Sequence, residues 1–290
     1  MGTFDGVHAG HRKILERLTQ NVENGKYESL VLTFFSHPRI VLQKQSGIKL
    51  LNTIPEKIDL LENIGIENLV IHPFDESFSQ LTAQEFVKNV LVDKFHIQKI
   101  IIGHDHRFGR NRTANIDDLI TFGKQYDFEV EQISVQEVND VSISSTKIRN
   151  ALMEGNMALA NEYLGYEYFL TGTIFKGKQL GRTIGFPTAN LQIEENQKLI
   201  PRNGVYVVKS SINRKTVYGM MNIGFNPTVA GENLSVEVHY FDFNTDLYDQ
   251  EIRVSILEYL RPEQKFSSVD LLKEQLKQDR NSALTFIKNI

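Results

Sequence analysis

Two histidines stand three residues apart in GTFDGVHAGH (residues 2–11), a glycine-rich turn that leads into a helical pattern from His11. Gly6 and Gly10 relieve crowding. A helix start offers unpaired N–H groups and the positive end of a dipole, and the imidazoles of His8 and His11 add donors, a combination suited to a phosphate chain. Such a site needs no nucleophile of its own. When a phosphate oxygen attacks the α-phosphorus of ATP, in-line holding and charge dispersal are most of the task, and the anionic attacker needs no base. Taken alone, His-x-x-His at a helix start equally describes a capped, partly exposed pair or half a metal site. ISSTKIR (143–149) is a second phosphate-seeking helix start. There Ser144, Ser145 and Thr146 can cap, while Lys147 and Arg149 can reach a triphosphate, Arg149 through a planar fork.

A third constellation is GKQLGRTIGFPTANL (177–191). Gly177, Gly181 and Gly185 let backbone approach a phosphate, Arg182 adds charge, Pro187 stiffens the approach, and Thr188 with Asn190 presents two oxygens on one face. Oxygen donors suit Mg²⁺ better than zinc. In LSVEVHYFDF (234–243), period-two alternation sets Glu237 and His239 opposite Val236, Val238 and Tyr240. A carboxylate at 237 could accept the proton of a hydroxyl that attacks the γ-phosphate of ATP. The alternatives are a solvated outer-face glutamate and, for PTAN, a plain turn. In GHDHRFG (103–109), His104 and His106 share one face of a strand end. With no third clustered ligand beyond Asp105, they read as polar lining of a nucleotide pocket rather than a metal site.

These residues need elements to hold them. Candidate strands SLVLTFF (29–35), NLVIHPF (68–74), KIIIG (99–103) and FEVEQISV (128–135) alternate with the helical patterns HRKILERLTQNV, PEKIDLLENIG and TAQEFVKNVLVDKF, as in a parallel sheet with crossover helices. Two more helices follow, STKIRNALMEG and MALANEYLG, with Gly155 and Gly165 as C-caps. From Tyr168 the texture changes to YFLTGTIF, GVYVVKS, VYGMMNI, LSVEVHYF and IRVSILEY separated by turn signals, an antiparallel sheet or small barrel. A final helix, with Ser267 and Asp270 at capping-box spacing and Leu272, Leu276, Ala283 and Ile287 on one face, packs on it.

A chain of 290 residues favours two domains over one. With 41% hydrophobic and 23% charged residues it forms real cores. No apolar run reaches the ~18 residues of a membrane span, and no secretory signal opens the sequence, so a cytoplasmic location is expected. The absence of cysteine removes disulfides and thiolate chemistry. Net charge −4, balanced in both halves, gives no basic arm for nucleic acid. Seven of the eight histidines (His8, His11, His37, His72, His96, His104 and His106) precede residue 107, so the two halves differ in chemistry.

GTFDGVHAGH, LTFFSHP, GHDHRFGRNRTAN and ISSTKIR, in this order, resemble the adenylyltransferase half of the bifunctional bacterial riboflavin kinase/FAD synthetases. GKQLGRTIGFPTANL, GVY (204–206), NIGFNPT (222–228), LSVEVHYF, DFNTDLY (242–248) and LRPEQKF (260–266) resemble the riboflavin kinase half. The resemblance covers nearly the whole chain and implies a Rossmann-like α/β nucleotidyltransferase domain at 1–166 and a Greek-key antiparallel β-barrel with a C-terminal helix at 167–290. It implies riboflavin, FMN and ATP as substrates, Mg²⁺ with ATP, and FMN and FAD as products. By position it gives His8, Gly10 and His11 to the phosphate motif and Ser145, Thr146 and Arg149 to a second nucleotide motif. His37, Pro38 and Asn115 fall around the flavin phosphate and nucleotide, Thr188 and Asn190 at Mg·ATP, Glu237 as general base, and Arg261 with the C-terminal helix near the flavin.

The sequence departs from the family at Phe35 and Ser36, where Asp and Pro are common, at Ala114 in place of glycine, and at Leu180 in place of arginine. In the family the GTFDGVH turn follows the first strand of the sheet, whereas only Met1 precedes Gly2 here. The expectation is a truncated start whose missing strand leaves edges unpaired and the turn unanchored. Two other readings are a riboflavin kinase alone, with the first domain impaired, and a flavin- or nucleotide-binding regulatory module that binds without turnover.

Overall fold

The computed structural model describes residues 1–20, 22, 27–43, 47–103, 106–133, 143–177, 179–228 and 231–290. Two compact units result, Met1–Ser144 and Ser145–Ile290.

The first unit runs α1 (Ala9–Gln20), β1 (Leu30–Phe35), α2 (Pro38–Gln43), α3 (Ile54–Glu62), β2 (Asn68–Pro73), α4 (Glu76–Ser79) and α5 (Ala83–Glu85). A π-helical stretch at Phe86–Val92, β3 (Lys99–Gly103), a 3₁₀ turn at Arg110–Arg112, α6 (Ile116–Tyr126) and β4 (Glu129–Ile133) complete it. The parallel pairing expected from the strand pattern is present, from Leu30↔Asn68 to Phe35↔Pro73 and from Lys99↔Glu129 to Gly103↔Ile133. Among the described residues it forms two two-stranded sheets instead of one. A single core serves both, since Leu32 packs with Ile100, Ile102 and Leu119, and Met1 packs against that cluster. Lys99 and Arg17 share Glu131 at 2.6 and 2.5 Å, which ties α1 to the β3–β4 pair.

No strand precedes α1 among the described residues, yet the turn before it is anchored. The Gly2 N–H donates to the Leu32 carbonyl at 3.0 Å, and the Thr33 hydroxyl donates to the Thr3 carbonyl at 3.2 Å. Capping sets the helices: Thr53 and Glu56 exchange hydrogen bonds in a capping box with Pro55 in the first turn of α3. The expected helix over TAQEFVKNVLVDKF keeps only three α residues, because Phe86, Val87, Val90 and Leu91 are all buried and the backbone widens there to i→i+5 bonds such as Asp93 N–H to the Lys88 carbonyl, 2.9 Å. Residues 134 and 135 of the expected fourth strand, and His104 and Asp105, lie outside the described residues.

The second unit begins with α7 (Ser145–Glu154) and α8 (Met157–Leu164). Gly165 caps α8 at φ 74°, as expected. Its strands are β5 (Phe169–Phe175), β6 (Ala189–Gln192), β7 (Gly204–Ile212), β8 (Lys215–Thr228), β9 (Gly231–Tyr240) and β10 (Glu251–Arg261), with a short α9 (Leu180–Thr183) and the long α10 (Val269–Lys288). The strands close into an antiparallel barrel in the order β10-β5-β6-β9-β8-β7. β6 went unread in the sequence because it is four residues long and follows Pro187. α8 belongs with the barrel, since the Asn161 side chain donates to the Ile256 carbonyl at 3.0 Å and accepts from the Tyr168 N–H at 2.7 Å. α10 lays Leu276, Ala283 and Ile287 on Val205, Val207 and Leu257. Its N-cap is Ser268, one residue past the expected Ser267, and accepts from the Leu271 N–H at 3.2 Å.

Candidate active sites

In the first unit the chain turns through Phe4 (φ 45°), Gly6 (φ 91°) and Val7 (φ 36°) before α1 begins. Positive φ suits Gly6 and strains a β-branched valine, so the surrounding contacts hold this shape. One of them is the buried Asp5 carboxylate, which accepts from the Leu51 N–H at 2.9 Å. The turn stacks the His8 and His11 rings at 3.7 Å between centroids, 19° from parallel, with the Phe4 ring on the far side of His11 at 5.2 Å. Both Nδ1 atoms are buried without a hydrogen-bond partner. Burial lowers His8 from 6.5 to about 4, against the pull of Asp5. Burial, then the charges of His8 and Lys57, hold His11 well below its usual range. Two neutral imidazoles therefore face each other at neutral pH, each able to give one N–H to an anion. α1 has no acid in its first turn, so its positive end is not cancelled, and Gly10 is its second residue.

His37 accepts from the Arg39 N–H at 3.2 Å through Nδ1, and Pro38 opens α2 beside it at the end of β1. Asn115 is the N-cap of α6, its side-chain oxygen accepting from the Asp117 and Asp118 N–H groups at 2.8 and 3.3 Å. Ser145, Thr146 and Arg149 occupy the start of α7, also without an acid in its first turn, within the second unit. Among the described residues no group of three or more His, Asp or Glu could hold a metal.

In the second unit two distant motifs meet. The Thr188 hydroxyl donates to Glu237 Oε2 at 3.1 Å, and Asn190 is the register partner of Glu237 across β6 and β9. Val236, Val238 and Tyr240 are buried while Glu237 and His239 are half-buried on the other face, as the alternation predicts. Glu237 is thus engaged by Thr188 rather than merely solvated. His239 holds the approach, its Nδ1 bonded to the Pro187 carbonyl at 2.8 Å. Asn222, opposite Glu237 on β8, is a further polar neighbour that sequence reasoning missed.

The glycine loop differs from expectation in detail. A Cβ at Gly177 would strike the Asn190 side chain and one at Gly181 the Phe186 carbonyl, so both glycines first admit the protein's own atoms. Arg182 is exposed and bonded to Tyr248, whose hydroxyl accepts from Arg182 at 3.3 Å and from Gln179 at 3.2 Å. Tyr248, also unread, lines a cleft of about 480 Å³ including its mouth, together with Arg182, Thr188, Tyr240, Phe243 and Asp246.

Arg261, expected with the C-terminal helix near the flavin, is bonded to that helix. Its guanidinium grips buried Asp279 of α10 through Nε at 2.8 Å and NH2 at 2.7 Å, and Gln275 completes that carboxylate at 2.9 Å. The fork locks α10 to the end of β10.

The first unit matches the FAD synthetase family over residues 1–147 and the second the riboflavin kinase family over 164–287. A bifunctional riboflavin kinase/FMN adenylyltransferase from Buchnera aphidicola subsp. Schizaphis graminum is 39% identical over 284 residues, 96% of this chain and 90% of that protein. One of the same description from Listeria monocytogenes is 36% identical, covering 100% of this chain and 92% of its own length. A crystal structure described as a macrolide-efflux protein from Streptococcus pneumoniae shares 34% identity with a TM-score of 0.88, covering 98% of this chain and 92% of that one.

Proposed function

The chain belongs to the bifunctional riboflavin kinase/FMN adenylyltransferases, and on that premise we propose that it phosphorylates riboflavin with ATP in the second unit and adenylylates the resulting FMN in the first. The observation that carries the kinase reading is the Thr188–Glu237 contact at 3.1 Å, which brings two motifs 49 residues apart into one oxygen-rich corner. Glu237 takes the proton of the riboflavin 5′-hydroxyl as that oxygen bonds to the γ-phosphorus and the bond to ADP breaks. Thr188 and Asn190 offer the oxygen donors that a hard cation prefers, and would hold Mg²⁺ beside the triphosphate. Bound there, Mg²⁺ supplies charge neutralisation of the phosphate oxygens. Arg182, with Gly177 and Gly181 shaping its loop, faces the phosphates, and the aromatic cleft beside Tyr248 receives the base.

For adenylyl transfer, an FMN phosphate oxygen bonds to the α-phosphorus as pyrophosphate departs with its electron pair. His8, His11, Gly6, Gly10 and the start of α1 cradle the phosphates, donating hydrogen bonds as charge moves onto the leaving group. By their motifs Ser145, Thr146 and Arg149 are nucleotide-binding residues, and His37, Pro38 and Asn115 serve the flavin side. On this reading the functional boundary is 166/167, and the substrates point to a cytoplasmic setting. No helix among the described residues is long and apolar enough to cross a membrane.

The test separates the two reactions. With Mg·ATP, Glu237→Gln should lower FMN formation from riboflavin by about 10²–10⁴-fold while FAD formation from added FMN persists, and His8→Ala with His11→Ala should do the reverse. Loss of both activities together in either variant would refute the division.

A further inference from the structure

α3 buries a lysine that neither reaction uses. Lys57 is 6% exposed, and lysines are almost never buried so deeply without partners. Its Nζ donates to the Thr3 carbonyl at 2.8 Å and the Thr33 hydroxyl at 3.4 Å. Those bonds join α3 to β1 and to the residue just before the positive-φ run Phe4, Gly6 and Val7. Both hydrogen-bond acceptors are neutral oxygens, and the opposite charge that acts on the ammonium is the Asp5 carboxylate of the same turn. In a low-dielectric interior such a charge acts strongly on its surroundings.

We infer that Lys57 is a positioning residue for adenylyl transfer: it fixes the turn that presents His8 and His11, and it puts a buried positive charge beneath the phosphate cradle. The inference rests on reading the His8–His11 turn as that cradle. Three further observations support it. The turn is strained and needs an external tie, and the Lys57 bond to Thr3 is one. Asp5, the acid of the same turn, attracts Lys57 and opposes the lowering that burial imposes on the ammonium. The field of Lys57 reaches His11, where it adds to the effects of burial and of His8. Lys57 does not touch the reacting atoms. It acts through the backbone at Thr3 and through the potential felt by bound polyphosphate, which favours ground state and transition state alike and so moves KM more than kcat.

The experiment uses the full chain with Lys57→Met and Lys57→Arg. In Lys57→Met the KM for ATP in FAD formation from FMN should rise about tenfold with kcat changed less than about threefold, while FMN formation from riboflavin, which reports an intact second unit, stays unaltered. Ring NMR should show His11 titrating at higher pH and His8 unmoved, a shift that loss of a purely structural tie would not produce. Lys57→Arg keeps the charge, so His11 should titrate as in the parent chain, while its different reach raises KM severalfold. An unchanged KM and an unchanged His11 in Lys57→Met would overturn the inference. Should that variant not fold, an unchanged KM in Lys57→Arg would do so. Failure of the underlying reading is distinguishable, because it would appear as retained FAD formation in His8→Ala.

Discussion

Acid should weaken the first unit through His8. Its imidazole titrates at about 4 in the folded chain and at 6.5 when unfolded. Between those values the unfolded chain holds a proton that the folded one refuses, so stability rises with pH across the window. The contribution is complete above pH 6.5 and is lost progressively as pH falls towards 4. At about 1.4 kcal/mol per pH unit, the gap corresponds to about 3 kcal/mol, a large part of a domain's stability. His11, held low mainly by its burial, pulls in the same direction. Urea unfolding at pH 7 and pH 4.5, followed through amide exchange in β1 and α1, measures the loss. His8→Asn removes the titration while carboxylate contributions cancel in the comparison. The variant should therefore lose distinctly less stability on acidification than the parent chain. Equal losses in the two proteins would show that His8 does not take up its proton on unfolding, and the account of a dry, neutral imidazole pair would fall.

Asp279→Asn should cost the second unit about 3–5 kcal/mol in urea unfolding, because it leaves the Arg261 guanidinium facing a neutral amide inside the seam between β10 and α10. Replacing both partners by apolar residues should cost less, and a loss of riboflavin binding at full stability in Arg261→Met would support a flavin role for that residue beside its structural one. Gly181→Ala forces the loop off the Phe186 carbonyl, so the KM for ATP in FMN formation should rise by about tenfold while FAD formation from FMN is unaffected.

Most elements were legible because their signals are local. The KIIIG strand, the PEKIDLLENIG helix and the Gly165 cap each depend on a few neighbouring residues, and the alternation around Glu237 sorted its faces correctly. Signals that arise only from tertiary contact were not legible. Nothing in PEKIDLLENIG distinguishes the buried Lys57 from a surface lysine, since its partners Thr3 and Thr33 come from other elements. Arg261 was placed near the flavin on family position alone, and its bond to Asp279, 18 residues away on a helix, carried no sequence signal. The π-helical stretch follows from packing Phe86 and Leu91, five apart, into one core, a spacing that a 3.6-residue period does not anticipate. Thr188, Asn190 and Glu237 were all named beforehand, but only the fold shows that Thr188 bonds Glu237 and that Asn190 pairs with it across β6 and β9.

β6 meets β9 through just Ala189↔Val238 and Asn190↔Glu237. The narrowest join in the cylinder thus carries the proposed phosphate-transfer corner, and the last stitch of its wall pairs Asn190 with Glu237. A nucleotide lodged there clasps the hoop from both sides, so ligand and architecture reinforce each other, and no cut or graft at this join can spare one while sacrificing the other.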